Sequence, residues 1–367
     1  MLKKFKVRNF KGFKDELEFN LASPNSYEFG TNAVKDGIIN KAMIYGKNVC
    51  GKSNLGLAIF DIVLHLTDKE KRFDKYPVYL NMNSDEHFAS FEYTFFFSGK
   101  DVIYKYTKTD IQNLSTEELI IDGKTVVKYD FLKDEGGSIL DGTQNLRMES
   151  PDGKLSKLKF IKNNAILADD ETNDIFNQLM SFVDNMLLFY CLHERGYQGL
   201  VLGIDNIEDV IVKSGKLKDF EKFLHKAEIN ETLTSVDVNG LKQIHFNYKR
   251  GSIAFQQAAS AGTLALELFY YWYLKISEAS LVYIDEFDAF YHHELAELIV
   301  QLLIEEQDTQ VILTTQNTDL MSNDILRPDC YFKLADNSIN SLSNLTSKEL
   351  RKAHNIQKMY KAGAFNE

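Results

Sequence analysis

Residues 46–53 read GKNVCGKS and match the pattern G-x-x-x-x-G-K-[ST] at every position. The apolar run AMIY at residues 42–45 precedes this stretch, and apolar residues at helical spacing follow from Lys52. A loop of this composition between a strand and a helix can hold phosphate groups, because its glycines let backbone N–H groups turn inward around phosphate oxygens. By chance the pattern occurs in roughly one chain in a hundred of this size. The sequence therefore predicts a nucleotide-binding site.

The chemistry of this loop assigns roles to four of its residues. Gly46 and Gly51 would open the backbone toward the phosphates, and the helix beginning at Lys52 would add the positive end of its dipole. The Lys52 ammonium would reach the β- and γ-phosphates, and the Ser53 hydroxyl would coordinate Mg²⁺. We therefore expect Lys52 to be both a nucleotide-binding and a catalytic residue.

A second candidate site follows an apolar strand pattern far along the chain. Residues 281–286 read LVYIDE, and Asp285 lies 232 positions after Ser53. A carboxylate at the carboxyl end of a strand can hold Mg²⁺, and the carboxylate after it can activate water. We assign Asp285 to magnesium and Glu286 to the general base. A solvated strand end is the alternative, and the phosphate loop upstream favours the catalytic interpretation.

Apolar periodicity predicts an α/β fold. The patterns favour helices at residues 171–192, 216–227, 262–277 and 294–306, and strands at residues 88–97, 102–106, 119–121, 125–127, 243–248, 252–255, 281–284 and 310–315. Helices alternate with apolar strands in the last part of the chain, which implies a parallel sheet there. We expect residues 68–230 to form an inserted α+β lobe, leaving residues 1–67 and 231–367 as the core. No segment sustains heptads long enough for a long coiled coil.

Composition excludes several classes of protein. The chain has 367 residues and a net charge of -11, which excludes a wholly basic DNA coat but not a local basic face. No apolar run is long enough for a transmembrane helix, and the first residues, MLKKFKVR, lack the apolar core of a signal peptide. Cys50, Cys191 and Cys330 form no CxxC pair, which argues against a disulfide scaffold or a cysteine zinc site. We expect a cytoplasmic protein without a membrane partner.

The chain resembles ABC-type ATPases of the RecF/SMC-like clan. It is most similar to the bacterial AAA-type ATP-binding proteins related to overcoming-lysogenization-defect proteins and anti-phage defence ATPases. The stretches that carry the resemblance are residues 5–13, 44–48, 51–55, 350–355 and 359–365. The resemblance implies an ABC-type ATPase head in which the predicted lobe is inserted, with ATP and Mg²⁺ as cofactors. It also adds Asn48 and Asn54 to the expected nucleotide-binding residues.

The resemblance implies that the nucleotide site is shared between two subunits. In the family, a signature segment before the acidic strand contacts the γ-phosphate held by the other subunit, and Ser260, Gly262 and Thr263 match its S-x-G-T form. An ordinary helix N-cap is the alternative for this segment. The family places an interface loop at residues 287–294, where a metal site at the two adjacent histidines and Glu294 is the less favoured alternative. We expect an ATP-dependent homodimer or a higher oligomer.

Gln316 departs from the family pattern. The resemblance implies a histidine at this position, which senses the γ-phosphate and orients water. A glutamine can donate a hydrogen bond but cannot carry charge. We count Gln316 among the catalytic residues and expect slow turnover, or a switch that holds ATP for long periods. Gln178 is a candidate for the Q-loop glutamine that the resemblance implies, and a core or surface helix residue is the favoured interpretation of it.

The resemblance also indicates a role in phage defence. Related nucleases carry a Toprim domain after the ATPase, and only 51 residues follow Gln316 here, so we expect a separate effector protein as a partner. Our main hypothesis is an ATP-dependent sensor or regulatory scaffold that works with this effector. The alternatives are a RecF-like DNA repair or recombination ATPase that clamps DNA, and a nucleotide-binding adaptor that does not hydrolyse ATP.

Two runs of lysines bear on nucleic-acid binding. They are Lys154, Lys157, Lys159 and Lys162, and Lys213, Lys216, Lys218 and Lys222. Either run could contact the phosphates of DNA or RNA. A solvated face is the favoured interpretation of both, so nucleic acid stays a possible partner only.

Overall fold

The computed structural model describes residues 1–22, 25–69, 73–148, 155–190, 196–199, 206–289, 292–335 and 337–365. Its strands are β1 (Leu2–Arg8), β2 (Leu17–Asn20), β3 (Val34–Lys35), β4 (Ile38–Ile39), β5 (Lys41–Tyr45), β6 (Ala89–Phe97), β7 (Lys100–Lys108), β8 (Leu114–Ile121), β9 (Lys124–Asp130), β10 (Glu135–Ser138), β11 (Met186–Tyr190), β12 (Gly196–Gly199), β13 (Thr232–Val238), β14 (Leu241–Tyr248), β15 (Gly251–Ala254), β16 (Leu281–Asp285), β17 (Gln310–Thr315), β18 (Tyr331–Ala335) and β19 (Ser338–Ser341).

The α-helices of the described residues are α1 (Lys52–Ile59), α2 (Asp61–Leu66), α3 (Lys157–Asn164), α4 (Glu171–Asp184), α5 (Ile207–Lys213), α6 (Leu217–Lys226), α7 (Phe255–Ala258), α8 (Ala261–Tyr273), α9 (His293–Glu305) and α10 (Ile356–Lys361). The longest of them, α4, has 14 residues, so this part of the chain contains no long coiled coil. None of these helices is long and apolar enough to cross a membrane.

The core is a sheet with the strand order β12-β11-β16-β17-β5-β18-β19. From β11 to β18 the neighbouring strands pair in parallel. Every residue of β5 and β17 is buried, as expected for parallel strands covered on both faces. The predicted α/β class and the parallel sheet are confirmed.

A second, antiparallel sheet has the strand order β10-β9-β8-β7-β6-β1-β2. Along β6 buried and half-buried residues alternate, because one face of this sheet packs on the core. The two hairpins predicted within residues 88–127 are β6–β7 and β8–β9. Residues 68–230 thus supply strands to both sheets, since β6 to β10 continue the sheet begun by β1 while β11 and β12 extend the core. The domain boundaries themselves stay a prediction.

The predicted helix at residues 171–192 is wrong in its second half. Helix α4 ends at Asp184, and the chain then enters β11, which lies between β12 and β16 in the core sheet. The residues MLLF at 186–189 are all buried. A short run that is apolar at every position has no alternation, so the sequence cannot distinguish a buried strand from a buried helix. Residues 191 and 192 lie outside the described residues.

A buried charge cluster ties the helices behind the phosphate loop to the antiparallel sheet. Asp61 begins α2, and one of its carboxylate oxygens accepts from the Lys108 ammonium at 2.7 Å and from the Tyr106 hydroxyl at 2.9 Å. The other oxygen accepts from the Tyr79 hydroxyl at 2.9 Å. Both charged side chains are fully buried, and burial lowers the pKa of Lys108. Each charge therefore relies on the other to offset the loss of water.

Replacing one charge of this cluster should strongly destabilise the fold. We expect Lys108→Met to lower the free energy of unfolding by about 3–5 kcal/mol, because it leaves the Asp61 carboxylate buried without its cation. The control is Lys35→Met, which breaks the exposed pair between Lys35 and Asp308 and should cost less than about 1 kcal/mol. Urea denaturation measures both. Equal losses in the two variants would contradict the role assigned to the buried pair.

Candidate nucleotide-binding site

Three strands end at the same edge of the core sheet and bring the predicted motifs together. Strand β17 lies between β16 and β5, with Ile284 paired to Leu313 and Thr315 paired to Tyr45. Because the strands are parallel, the loop after β5, the acidic residues that end β16 and the residue after β17 all lie at their carboxyl ends. This crevice is the usual ligand site of open α/β sheets.

Two glycines allow the phosphate loop its shape. A Cβ atom on Gly46 would lie 2.4 Å from the Cys50 sulfur and 2.8 Å from the Leu334 carbonyl oxygen, so no larger residue fits without rearrangement. Gly51 has a φ of 104°, in the region that favours glycine, and its α-carbon faces the Phe13 ring. Gly51 is also the N-cap of α1 and offers no side-chain acceptor, so the first N–H groups of α1 are left for another partner.

The Lys52 side chain is buried beneath the loop. Its ammonium donates to the carbonyl oxygens of Gly46 at 2.8 Å and Lys47 at 3.3 Å. Strand β16 also binds the backbone of Lys52, because the Tyr283 hydroxyl donates to the Lys52 carbonyl oxygen at 2.7 Å. Strand β16 thus fixes the first turn of α1 directly. The Asn54 side chain abuts the turn at Gly12, and the Asn48 side chain is exposed at the tip of the loop.

The two predicted magnesium residues are in contact. The Ser53 hydroxyl donates to Oδ2 of Asp285 at 2.5 Å. The other oxygen of Asp285, Oδ1, accepts from the Thr314 hydroxyl at 2.7 Å. Magnesium in phosphate-transfer sites takes one or two protein oxygens together with waters and substrate phosphates, so this donor pair fits Mg²⁺. Within the described residues no group of three or more His, Cys, Asp or Glu forms an all-protein metal cage.

Glu286 and Gln316 meet beside the magnesium residues. The Gln316 amide donates to Oε1 of Glu286 at 3.1 Å. A cavity of about 190 Å³ adjoins this contact and is lined by Glu286, Asp288, Ala289, Gln316 and Asn317. This space is large enough for several waters, and its lining offers the polar partners that ordered water needs.

The interface loop predicted at residues 287–294 contains Asp288, whose carboxylate binds the end of β17. The Thr315 hydroxyl donates to both oxygens of Asp288 at 2.8 Å, and it accepts from the Asn317 N–H at 2.9 Å. Burial raises the pKa of Asp288 above its usual range. Sequence reasoning missed Asp288, Thr314 and Thr315. The sequence does contain one signal for the two threonines, because they follow the apolar run at residues 311–313 of a buried strand and a buried hydroxyl needs a hydrogen-bond partner.

The predicted signature residues form the start of α8. Ser260 is the N-cap, and its hydroxyl accepts from the Thr263 N–H at 3.1 Å and contacts the Thr263 hydroxyl at 2.9 Å. Gly262 lies in the first turn. In this part of the chain, Ser260 and Thr263 bond to each other, which is the geometry of an N-cap. A contact of these residues with a second subunit stays a prediction.

The side chains at the alternative sites have local partners. His292 contacts Glu294 at 3.1 Å, and His293 lies 3.9 Å from Glu297, while Tyr291 lies outside the described residues. Gln178 bonds to Ser98 on an exposed face of α4.

The two lysine runs also have local partners. Lys154 lies outside the described residues, Lys157 and Lys159 are buried, and Lys162 bonds to Asp184. The favoured solvated-face interpretation is therefore wrong for Lys157 and Lys159, which α3 packs inside, whereas Lys162 is exposed. The four lysines of the second run each pair with a nearby acidic residue, through Asp209, Asp219 and Glu221.

A family model described as "AAA domain, putative AbiEii toxin, Type IV TA system" matches residues 41–322. This chain belongs to that AAA family. The match begins with β5 and ends after Gln316, so it contains the phosphate loop, the acidic strand and the threonine pair of β17. No protein of curated function matches the chain significantly.

Several solved structures are similar to this AAA chain. The SMC head domain from Thermotoga maritima is 15% identical with a TM-score of 0.44, covering 92% of this chain and 97% of that one. An Smc head bound to the C-winged helix domain of ScpA is 15% identical with a TM-score of 0.48, covering 94% and 98%. An Smc head with an extended coiled coil, bound to the C-terminal domain of ScpA derived from Pyrococcus furiosus, is 14% identical with a TM-score of 0.47, covering 94% and 97%.

Relief of backbone strain in the phosphate loop should stabilise the AAA chain. Val49 has a φ of 68°, which is costly for a β-branched residue, and its side chain is fully exposed. We expect Val49→Gly to raise the free energy of unfolding by about 1 kcal/mol. The control is Val238→Gly, at the last residue of β13, where φ is not positive, and it should lower the free energy of unfolding by about 1 kcal/mol because glycine adds conformational freedom to the unfolded chain. Equal losses in both variants would show that Val49 carries no strain.

The helix that carries the signature residues should make stability depend on pH. Glu267 on α8 is buried, and burial, reinforced by Glu208, raises its pKa to about 8. The folded chain therefore keeps a proton that the unfolded chain releases above its ordinary pKa of 4.5. Stability should fall as pH rises from about 5 to about 8.

Comparison of two variants isolates this effect. Glu267→Gln stays neutral, so its urea midpoint should decline less over the same pH range than that of the wild type. The exposed change Glu278→Gln should keep the wild-type decline. A Glu267→Gln curve parallel to the wild type would contradict the assignment.

Proposed function

We propose that this chain binds Mg²⁺-ATP at residues 46–53 and hydrolyses it slowly, as a nucleotide-gated switch. The observation that carries the proposal is the convergence of two contacts at one sheet edge. Ser53 lies 2.5 Å from Asp285, and Gln316 lies 3.1 Å from Glu286 next to a cavity with room for several waters. The contact between Ser53 and Asp285 suits a magnesium ion, and the contact between Gln316 and Glu286 suits an attacking water.

Each side chain has a role that its position supports. The N–H groups at the start of α1 would bind the phosphates. The Lys52 ammonium would bind the β- and γ-phosphates in place of the carbonyl oxygens of Gly46 and Lys47. Ser53 and Asp285 would hold Mg²⁺, which would supply positive charge next to the phosphates. Glu286 would accept the proton of the attacking water.

Gln316 is the reason for expecting slow turnover. Its amide donates to Glu286 and can orient a water between the two side chains, but it cannot supply positive charge to the transition state. Glutamine instead of histidine at position 316 does not alter the phosphate loop. ATP would therefore be bound well and consumed slowly, which suits a switch better than a motor.

We place this switch in bacterial phage defence, as a sensor or regulatory scaffold with a separate effector protein. The family description, which names a putative toxin of a type IV toxin–antitoxin system, supports a place among such systems. A homodimer or higher oligomer that uses Ser260, Gly262 and Thr263 of a second subunit would complete the γ-phosphate site. The pairing of the second lysine run with acidic residues gives no support to a DNA clamp.

Steady-state ATP hydrolysis and ATP binding test the proposed function together. We expect Glu286→Gln to keep the wild-type affinity for ATP and to lower turnover by about 100-fold or more, because it removes the base. Lys52→Ala should lose both binding and turnover. The matched control is Glu278→Gln, an exposed glutamate just before β16 at the opposite edge of the sheet, which should behave as the wild type.

Two outcomes would contradict parts of this proposal. ATP binding that Lys52→Ala leaves unchanged would remove the phosphate loop as the site. Binding without turnover in the wild type would leave a nucleotide-binding adaptor, in which ATP acts as a structural latch.

A further inference from the structure

The end of β17 contains one hydroxyl group that touches both acidic residues of the candidate site. Thr314 is fully buried, and its hydroxyl donates to Oδ1 of Asp285 at 2.7 Å. The hydroxyl oxygen of Thr314 also accepts a hydrogen bond from the backbone N–H of Glu286, again at 2.7 Å. Because the hydroxyl has one proton and gives it to Asp285, its remaining lone pairs face the Glu286 N–H. A single side chain thus sets the direction of the magnesium carboxylate and the position of the base.

The backbone of Glu286 makes this contact necessary. Its φ is 44°, in the left-handed region, which is uncommon for a residue other than glycine. Strained conformations persist only where the surroundings hold them. Two hydrogen bonds from the acidic segment to Thr314 do so here, since the Phe287 N–H donates to the Thr314 carbonyl oxygen at 3.1 Å in addition to the Glu286 bond.

The direction of the Asp285 carboxylate follows from the same network. Thr314 binds one oxygen of Asp285, which leaves the other oxygen pointing at the Ser53 hydroxyl at 2.5 Å. Without the Thr314 hydroxyl, Asp285 could rotate, and its Oδ1 atom would lose this donor. Groups that orient a metal ligand in this way are worth about 10–100-fold in metal affinity or activity when they are removed.

We infer that Thr314 is a positioning residue for the proposed Mg²⁺-ATP site. It aims Asp285 at the metal position and fixes the backbone that carries Glu286, and it touches neither the nucleotide nor the metal itself. The inference rests on the proposed function, because it deepens the account of the same site. Thr315 has a separate role, since its hydroxyl donates to Asp288 rather than to Asp285 or Glu286.

Three variants separate positioning from general stability. Thr314→Val has nearly the same shape but no hydroxyl, whereas Thr314→Ser keeps the hydroxyl. Thr309→Val is the matched control, because Thr309 is equally buried just before the start of β17 and its hydroxyl donates to the carbonyl oxygens of Ile276 and Ala279, at the opposite edge of the sheet. The measurements are the Mg²⁺ concentration that half-saturates ATP binding, the affinity for ATP without Mg²⁺, and kcat.

We expect Thr314→Val to raise the half-saturating Mg²⁺ concentration by about 10–100-fold and to lower kcat by a similar factor. Its affinity for ATP without Mg²⁺ should stay that of the wild type, because the phosphate loop is intact. Thr314→Ser should restore the wild-type Mg²⁺ dependence. Thr309→Val should lower the Tm but leave the Mg²⁺ dependence and kcat unchanged.

The opposite results would overturn the inference. Wild-type Mg²⁺ dependence in Thr314→Val, or equal losses in Thr314→Val and Thr314→Ser, would show that the hydroxyl does not position the acids. Binding measurements keep the test valid if the wild type holds ATP without hydrolysing it. A wild-type chain that binds no Mg²⁺-ATP would overturn the proposed function and this inference with it, whereas a failure confined to Thr314→Val would overturn the inference alone.

Discussion

The parallel pairing of β17 between β5 and β16 is the constraint on which the candidate site depends. It places the carboxyl ends of three strands side by side, although the phosphate loop and the acidic pair are more than two hundred positions apart in the chain. Side-chain contacts then join the segments at these strand ends, as with Ser53 to Asp285 and Gln316 to Glu286. A change of one residue in the register of β17 would turn Thr314 to the other face of the sheet and break this convergence.

Two strained backbone positions lie where chemistry is expected. Val49 in the phosphate loop and Glu286 after β16 both adopt positive φ values, and both lie at the carboxyl edge of the core sheet. Such conformations cost free energy and persist because surrounding contacts hold them. At Glu286 the contacts are hydrogen bonds to Thr314, whereas Val49 is fully exposed on the surface of this chain.

The two sheets are coupled through the helix that follows the phosphate loop. Lys52 begins α1, and α2 begins after it with Asp61, whose carboxylate is bound by Lys108 and Tyr106 of β7. On the other side, Tyr283 of β16 holds the Lys52 carbonyl oxygen. A displacement of α1 on nucleotide binding would therefore reach the antiparallel sheet through a buried ion pair. Buried pairs of this kind tolerate little misalignment, because each charge has lost its water.

The sequence by itself determined the local features of this protein. The spacing of glycines, Lys52 and Ser53 predicted the phosphate loop, and alternating or apolar runs predicted β5 to β9 and β14 to β17, because these signals come from neighbouring residues. Only the tertiary structure decided that residues 186–189 form a core strand, since a uniformly apolar run suits a buried helix equally well. It also decided the roles of Thr314 and Thr315, on β17, and of Asp288, in the loop after β16. Their partners are set by strand pairing, which depends on contacts between distant segments and leaves no periodic signal in the chain.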